Sequence, residues 1–107
     1  MLPYEIFPTD AAQVLRDRGA RLIDVREPWE FAAARIEGSL LIPMREVPTR
    51  AQKELDLDER LIVVCHVGVR SMSATAWLRR QGFEKAQSLR GGIDAWSVEI
   101  DPSVPRY

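Results

Sequence analysis

The stretch LIVVCHVGVRSMSATAW, residues 61–77, decides how this chain reads. Leu61 to Val64 are four consecutive apolar residues, three of them β-branched, and predict a buried strand. Ala74, Trp77 and Leu78 recur at i, i+3 and i+4, which predicts a helix over 71–81 with Gly82 as its C-cap. Between strand and helix lie the one cysteine of the chain, Cys65, and its one histidine, His66.

The same alternation runs outward in both directions. Tyr4 to Phe7 reads as a short strand. Thr9 reads as the N-cap of a helix whose apolar face is Ala11, Ala12, Val14 and Leu15, and Gly19 as its stop. Arg21 to Val25 reads as a buried strand. Pro28 suits the first turn of the next short helix, with Glu27 and Glu30 near its positive end. Leu40 to Ile42 reads as another short strand, and residues 44–59 as one or two short helices with loops. Ala86 to Leu89 is a weaker strand. Gly91-Gly92 leads into a last helix over 93–97, and residues 98–107 read as an irregular tail. Short strands alternating with helices predict an α/β fold: one domain over 1–107, core about 4–97, with a mostly parallel sheet covered by helices on both faces. Ligands of such sheets sit beyond the carboxyl ends of the strands, where Cys65 falls.

The totals exclude several function classes. The 107 residues fit a single domain, and 46% hydrophobic with 29% charged residues is ordinary globular composition. A net charge of −1 provides no global field to recruit nucleic acid or an anionic membrane. A lone cysteine cannot close an internal disulfide, which fits a reducing compartment. Neither a secretory leader pattern nor a membrane-length apolar run is visible, so the expected location is cytoplasmic. The sequence is silent on oligomeric state.

The loop carries the chemistry. His66, Val67, Gly68, Val69 and Arg70 separate Cys65 from Ser71. A turn that tight brings successive backbone N–H groups toward one centre, making an anion cradle. The helix start adds partial positive charge, and Gly68 allows backbone angles that a bulkier residue resists. A thiol there is expected to ionise readily, because helix starts and nearby cations lower cysteine from its free value of about 8.5. Cys65 is thus the candidate nucleophile, and the chemistry requires that its sulfur not be sealed from solvent. The plainer alternative is an inert packing cysteine. Arg70 is placed to neutralise an incoming anion, against the alternative of a solvated surface arginine. His66 reads as a loop-rim residue tuning charge and entry, or as an exposed histidine without a role. A Cys–His protease needs an imidazole brought from elsewhere, and neither a second histidine nor an asparagine exists to complete it. With no C-x-x-C and one histidine, no structural zinc site is expected. Neither metal nor organic cofactor is implied.

Three stretches in order resemble the rhodanese-homology family, in its single-domain sulfurtransferase form. They are LIDVREPWEF (22–31), VVCHVGVRS (63–71) with a Cys-x4-Arg loop, and LRGGIDAW (89–96). The resemblance spans Tyr4 to about Ser97. It implies a five-stranded, mainly parallel sheet. It implies that Cys65 takes the sulfane sulfur of a donor such as thiosulfate as a persulfide and passes it to cyanide or a thiol. Asp24 and Arg26 match the family's Asp-x-Arg. Arg26 is expected to support the site or contact substrate, and Asp24 to hold the strand end or pair with an arginine; a surface ion pair is the alternative for both. Trp29 and Trp96 are expected to be core aromatics, and Gly91-Gly92 to shape the turn beside the site. The chain departs from the family's G-H-I-P-G-A at ARIEGS (34–39), with Arg35 where the histidine stands. His66 also stands where thiosulfate-preferring loops often carry arginine, which counts against thiosulfate as the physiological donor.

Three functions compete. One is a sulfurtransferase, acting on small molecules or relaying sulfur to a partner protein. Another is a catalytically silent interaction module. The last is a phosphatase or arsenate reductase, which would need Cys-x5-Arg and a wider cradle than the four residues between Cys65 and Arg70 allow.

Overall fold

In the computed structural model, which describes residues 1–107, the strand expected at 61–64 is the middle strand of the sheet. In chain order the elements are β1 (Glu5–Ile6), α1 (Pro8–Arg16), β2 (Arg21–Asp24), α2 (Pro28–Ala33) and β3 (Leu40–Leu41). A 3-10 turn (Met44–Glu46) follows, then α3 (Val47–Glu54), β4 (Leu61–Val64), α4 (Val69–Arg80), β5 (Ala86–Leu89) and α5 (Gly92–Glu99). The strands lie in the order β1-β5-β4-β2-β3, and every pairing is parallel. The fold is the expected five-stranded α/β sheet.

The alternation of side chains along β4 divides the core. Leu61 and Val63 point to one face, where they meet Ala74 and Leu78 of α4 and Val47 and Ala51 of α3. Ile62 and Val64 point to the other, against Ala11 and Ala12 of α1 and Ile93 and Trp96 of α5. Both faces are covered, so all four residues of β4 are buried and the strand reads as a continuous apolar run. Cys65 continues the first set and shares its core cluster. Because β5, β4 and β2 are adjacent and parallel, their carboxyl ends open side by side. Arg90–Gly92, Cys65–Gly68 and Val25–Arg26 therefore meet at one edge.

Several expected details are corrected. The N-cap of α1 is Phe7, not Thr9, because Pro8 takes the first helical position, where its fixed φ fits and its missing N–H costs nothing. That helix ends before Gly19: Arg18 itself adopts the left-handed conformation (φ 56°), and the Gly19 N–H closes the turn on the Val14 carbonyl at 2.8 Å. Helix α4 starts at Val69, two residues before Ser71, with Gly68 at its N-cap (φ 103°). Trp96 is a core residue, but Trp29 is 65% exposed. It lies in the first turn of α2, and its ring meets Tyr107 edge-on instead of entering the core. The tail beyond α5 is irregular but packed. Val104 is buried in the α1/α5 core cluster, Ser97 donates its hydroxyl to the Val104 carbonyl, and Arg106 pairs with Asp94.

Candidate active site

Cys65 leaves β4 with its side chain under the loop that follows. Two groups contact its sulfur. The Gly68 N–H donates to Sγ at 3.1 Å, and the Ser71 hydroxyl lies 3.3 Å away. Ser71 is in turn 2.7 Å from the hydroxyl of Ser88 on β5. Both serines are fully buried. A chain of hydroxyls thus ends on sulfur, and it can turn its protons toward a thiolate without any heavy atom moving.

The expected cradle is narrower than a full ring. Gly68 is the one loop amide within hydrogen-bonding distance of the sulfur. The amides of Val67, Val69, Arg70 and Ser71 have no protein acceptor, and those in the first turn of α4 face outward along the helix axis. They remain free for an anion at that helix start. Cys65 is also less open than a loop-mouth thiol should be: the residue is 1% exposed, because its side chain continues the inward-facing set of β4. The outer wall of the loop is exposed Val67 and Val69, with half-buried His66 and Gly68 between.

Arg70 is in the first turn of α4, but it is not a free cation. Its guanidinium makes a two-pronged bond to Glu30 at 2.7 and 2.8 Å. Glu30, buried in α2, also accepts the Glu27 N–H at 3.0 Å and the Tyr107 hydroxyl at 2.7 Å. The Arg70 guanidinium, aided by the Glu27 amide and the phenol, outweighs burial and holds the Glu30 carboxyl at about 2, from an ordinary 4.5. A carboxyl depressed in the fold stabilises it fully above its unfolded value, and that stabilisation is lost as pH falls toward 2. Urea unfolding at falling pH should show a loss of about 3 kcal/mol across that window, which Glu30→Gln removes. An unchanged pH slope in the variant would show that the pair contributes nothing.

Asp24 and Arg26 do not form a surface pair. Both are fully buried, and Asp24 grips Arg26 through Nε and Nη2 at 2.9 and 2.7 Å. Arg26 gives its remaining donors to the Glu30 and Ala34 carbonyls and the Tyr107 hydroxyl. With every N–H engaged and no exposure it cannot touch a substrate; it ties the end of β2 to the middle and the carboxyl end of α2. Arg35, at the family's histidine position, is exposed and lies over the Phe31 ring 5.0 Å away.

Helix α5 fixes the loop from the other side. The Ile93 and Asp94 N–H groups bond the Cys65 and His66 carbonyls at 2.9 and 3.1 Å. Gly92 (φ 64°) makes this approach possible, since a Cβ there would collide with both carbonyls. Gly92→Ala is therefore expected to cost at least about 2–3 kcal/mol, from backbone strain and displacement of the loop together. Thermal melting and sulfur-uptake rate check it, and a variant melting with the parent would overturn this account of the loop.

Three members of this arrangement, Glu30, Ser88 and Tyr107, have no site role in the sequence alone. Glu30 was legible only as a helix-start acid, although Glu27-x-x-Glu30 has the spacing of a reciprocal cap. Ser88, like neighbouring Gln87, is a polar residue inside a strand buried throughout, which is a signal of buried hydrogen bonding. For Glu30 as the partner of Arg70, and for Tyr107 beside them, nothing in the local sequence points to the contact. A surface depression of about 960 Å³ lies at the opposite, amino-terminal ends of the strands, lined by Arg18, Arg21, Arg60 and Lys85 among others and away from Cys65.

A profile of the rhodanese-like domain matches residues 7–99. The thiosulfate sulfurtransferase GlpE of Pseudomonas syringae is 38% identical over 96 residues, covering 90% of each chain. The GlpE of Pseudomonas aeruginosa strain LESB58 is 42% identical over 93 residues, 87% of this chain and 84% of that one. An Arabidopsis thaliana chloroplast protein, rhodanese-like/PpiC domain-containing protein 12, is 42% identical over 91 residues, but this chain spans only 30% of its length. Among solved structures, a rhodanese-related protein from Thermoplasma volcanium superposes with a TM-score of 0.83 at 30% identity, covering 98% of this chain and all of that one. The human single-domain sulfurtransferase TSTD1 superposes equally well, at 0.83 with 27% identity, over 92% and 98% of the two chains. Motif order, sheet topology and these likenesses agree: the chain belongs to the rhodanese-like domain family, as an enzyme of the single-domain sulfurtransferase type.

Proposed function

We propose that the protein moves a sulfane sulfur from a donor such as thiosulfate to a thiophilic acceptor through a persulfide on Cys65. The observation that carries this reading is the pair of hydrogen-bonding groups on one sulfur at the start of α4: the Gly68 amide, which donates to it, and the Ser71 hydroxyl, which accepts from the thiol and can rotate to donate to a thiolate. In the first step the loop over Cys65, a residue only 1% exposed at rest, opens to admit the donor, and the Cys65 thiolate attacks the outer sulfur of thiosulfate. A new S–S bond forms, the old one breaks, and sulfite leaves with its electron pair. In the second step cyanide or a thiolate attacks the outer sulfur of the persulfide, and the electron pair of the broken bond returns to Sγ. With cyanide the product is thiocyanate.

The residues divide this work. Gly68 and the Ser88–Ser71 hydroxyl chain hold negative charge on the inner sulfur. The free first-turn amides of α4 meet the outer one, together with the partial charge of the helix start. Arg70 is neutralised by Glu30, so it positions α2 against α4 and lends the donor little net charge. The site is thus poor in cations that would hold a small dianion, and an acceptor bringing its own contacts, such as a thiol on a partner protein, fits it at least as well as cyanide. Such a relay would operate in the cytoplasm.

Intact mass spectrometry tests the reading. After incubation with thiosulfate the protein should gain about 32 Da on Cys65, the mass of one sulfur carried by the covalent intermediate. Cyanide, a dithiol and candidate protein thiols are then offered as acceptors. Loading that only protein thiols discharge identifies a relay, and absence of loading identifies a silent binding module.

A further inference from the structure

The irregular tail returns across the molecule to the active loop. Tyr107 stacks on the His66 imidazole, with centroids 4.1 Å apart and planes within 12°. Its hydroxyl donates to Glu30 at 2.7 Å and accepts from Arg26 at 2.9 Å. Burial of the phenol, with Glu30 beside it, pushes it above its ordinary range, so it stays a donor to the carboxylate. Val104 in the core and the Arg106–Asp94 pair anchor the approach of this segment. One side chain therefore touches the loop that carries the nucleophile, the buried arginine that ends β2, and the carboxylate that grips Arg70.

We infer that Tyr107 is a positioning residue of the active loop: its ring sets the place of His66, and its hydroxyl sets the Glu30–Arg70 pair at the start of α4. This rests on Cys65 being the sulfur-carrying nucleophile, and it adds that the tail tunes how well the loop presents that sulfur. The ring and the hydroxyl act on different partners, so two substitutions separate them. Tyr107→Phe keeps the stack and removes the bridge between Arg26 and Glu30. Tyr107→Ala removes both.

The experiment reads the full chain in two ways, well below its melting temperature. In proton NMR the imidazole signals of His66, the one histidine, should keep their ring-current shift in Tyr107→Phe and lose it in Tyr107→Ala. Stopped-time mass spectrometry should show Cys65 loading from thiosulfate slowed about tenfold or more in Tyr107→Ala, with Tyr107→Phe between it and the parent, since small misplacements of reacting groups are costly. Unchanged His66 signals in Tyr107→Ala, or loading at the parental rate in that variant, would overturn the inference. If the parent itself takes up no sulfur, the sulfurtransferase reading fails instead, while the His66 signals still decide whether Tyr107 holds the loop.

Discussion

Cys65→Ser is expected to fold like the parent and take up no sulfur. Serine places a hydroxyl oxygen where Sγ now accepts the Gly68 N–H and meets Ser71, so both buried partners stay satisfied. Melting should stay within a few degrees of the parent, as expected of a change of about 1 kcal/mol or less. Chemistry is lost because an alcohol is not ionised near neutrality and forms no persulfide. Turnover of thiosulfate and cyanide should fall at least about 10³-fold, the scale set by removing a covalent nucleophile. The mass increment should vanish with it. Cys65→Ala serves as a second control, with a small cavity in place of the sulfur. Sulfur loading that survives in either variant would show that Cys65 is not the carrier, since there is no second cysteine to take its place.

Asp24→Ala is expected to be the most damaging change made away from the sulfur. It leaves the Arg26 guanidinium fully buried with its carboxylate gone, and breaking one side of a buried ion pair costs about 3–5 kcal/mol. Against a total stability of about 5–15 kcal/mol for a domain, that is a large share. The damage should spread to the site, since Arg26 also holds the Glu30 and Ala34 carbonyls and the Tyr107 hydroxyl. Removing both charges, as in Asp24→Leu with Arg26→Met, should recover much of the loss, because no uncompensated charge is left behind. Urea unfolding of the parent, both single variants and the double variant measures the coupling. A cost under about 1 kcal/mol for Asp24→Ala would mean that Arg26 finds water or another partner, and that β2 and α2 are not held together by this pair.

The two arginines of the site show how far residue type alone can lead. Arg70 and Arg26 were both legible as site residues from their motifs, but not in their tasks. Arg70 reads as an anion receptor because it follows the loop; in the fold its charge is taken by Glu30, forty residues earlier. Arg26 has no exposure and contacts only protein. Trp29 misleads in the same way. An aromatic near a helix start reads as core, but the first turn of a six-residue helix leaves that side chain outside. Such assignments depend on which groups approach from distant parts of the chain, and local pattern carries no record of that.

What the sequence determined by itself is the scaffold and the place of the chemistry. The apolar run 61–64, the helical spacing after it and the alternation on either side dictate a parallel sheet with Cys65 at a strand end. These are periodicities of neighbouring residues, and neighbours are what local backbone geometry senses. Tertiary structure alone decided what surrounds the sulfur. It brought Ser88 behind Ser71, closed Glu30 on Arg70, set Gly92 against the Cys65 and His66 carbonyls, and returned Tyr107 to His66. These partners lie 17 to 41 residues apart in the chain and meet only because parallel strands align their carboxyl ends at one edge of the sheet.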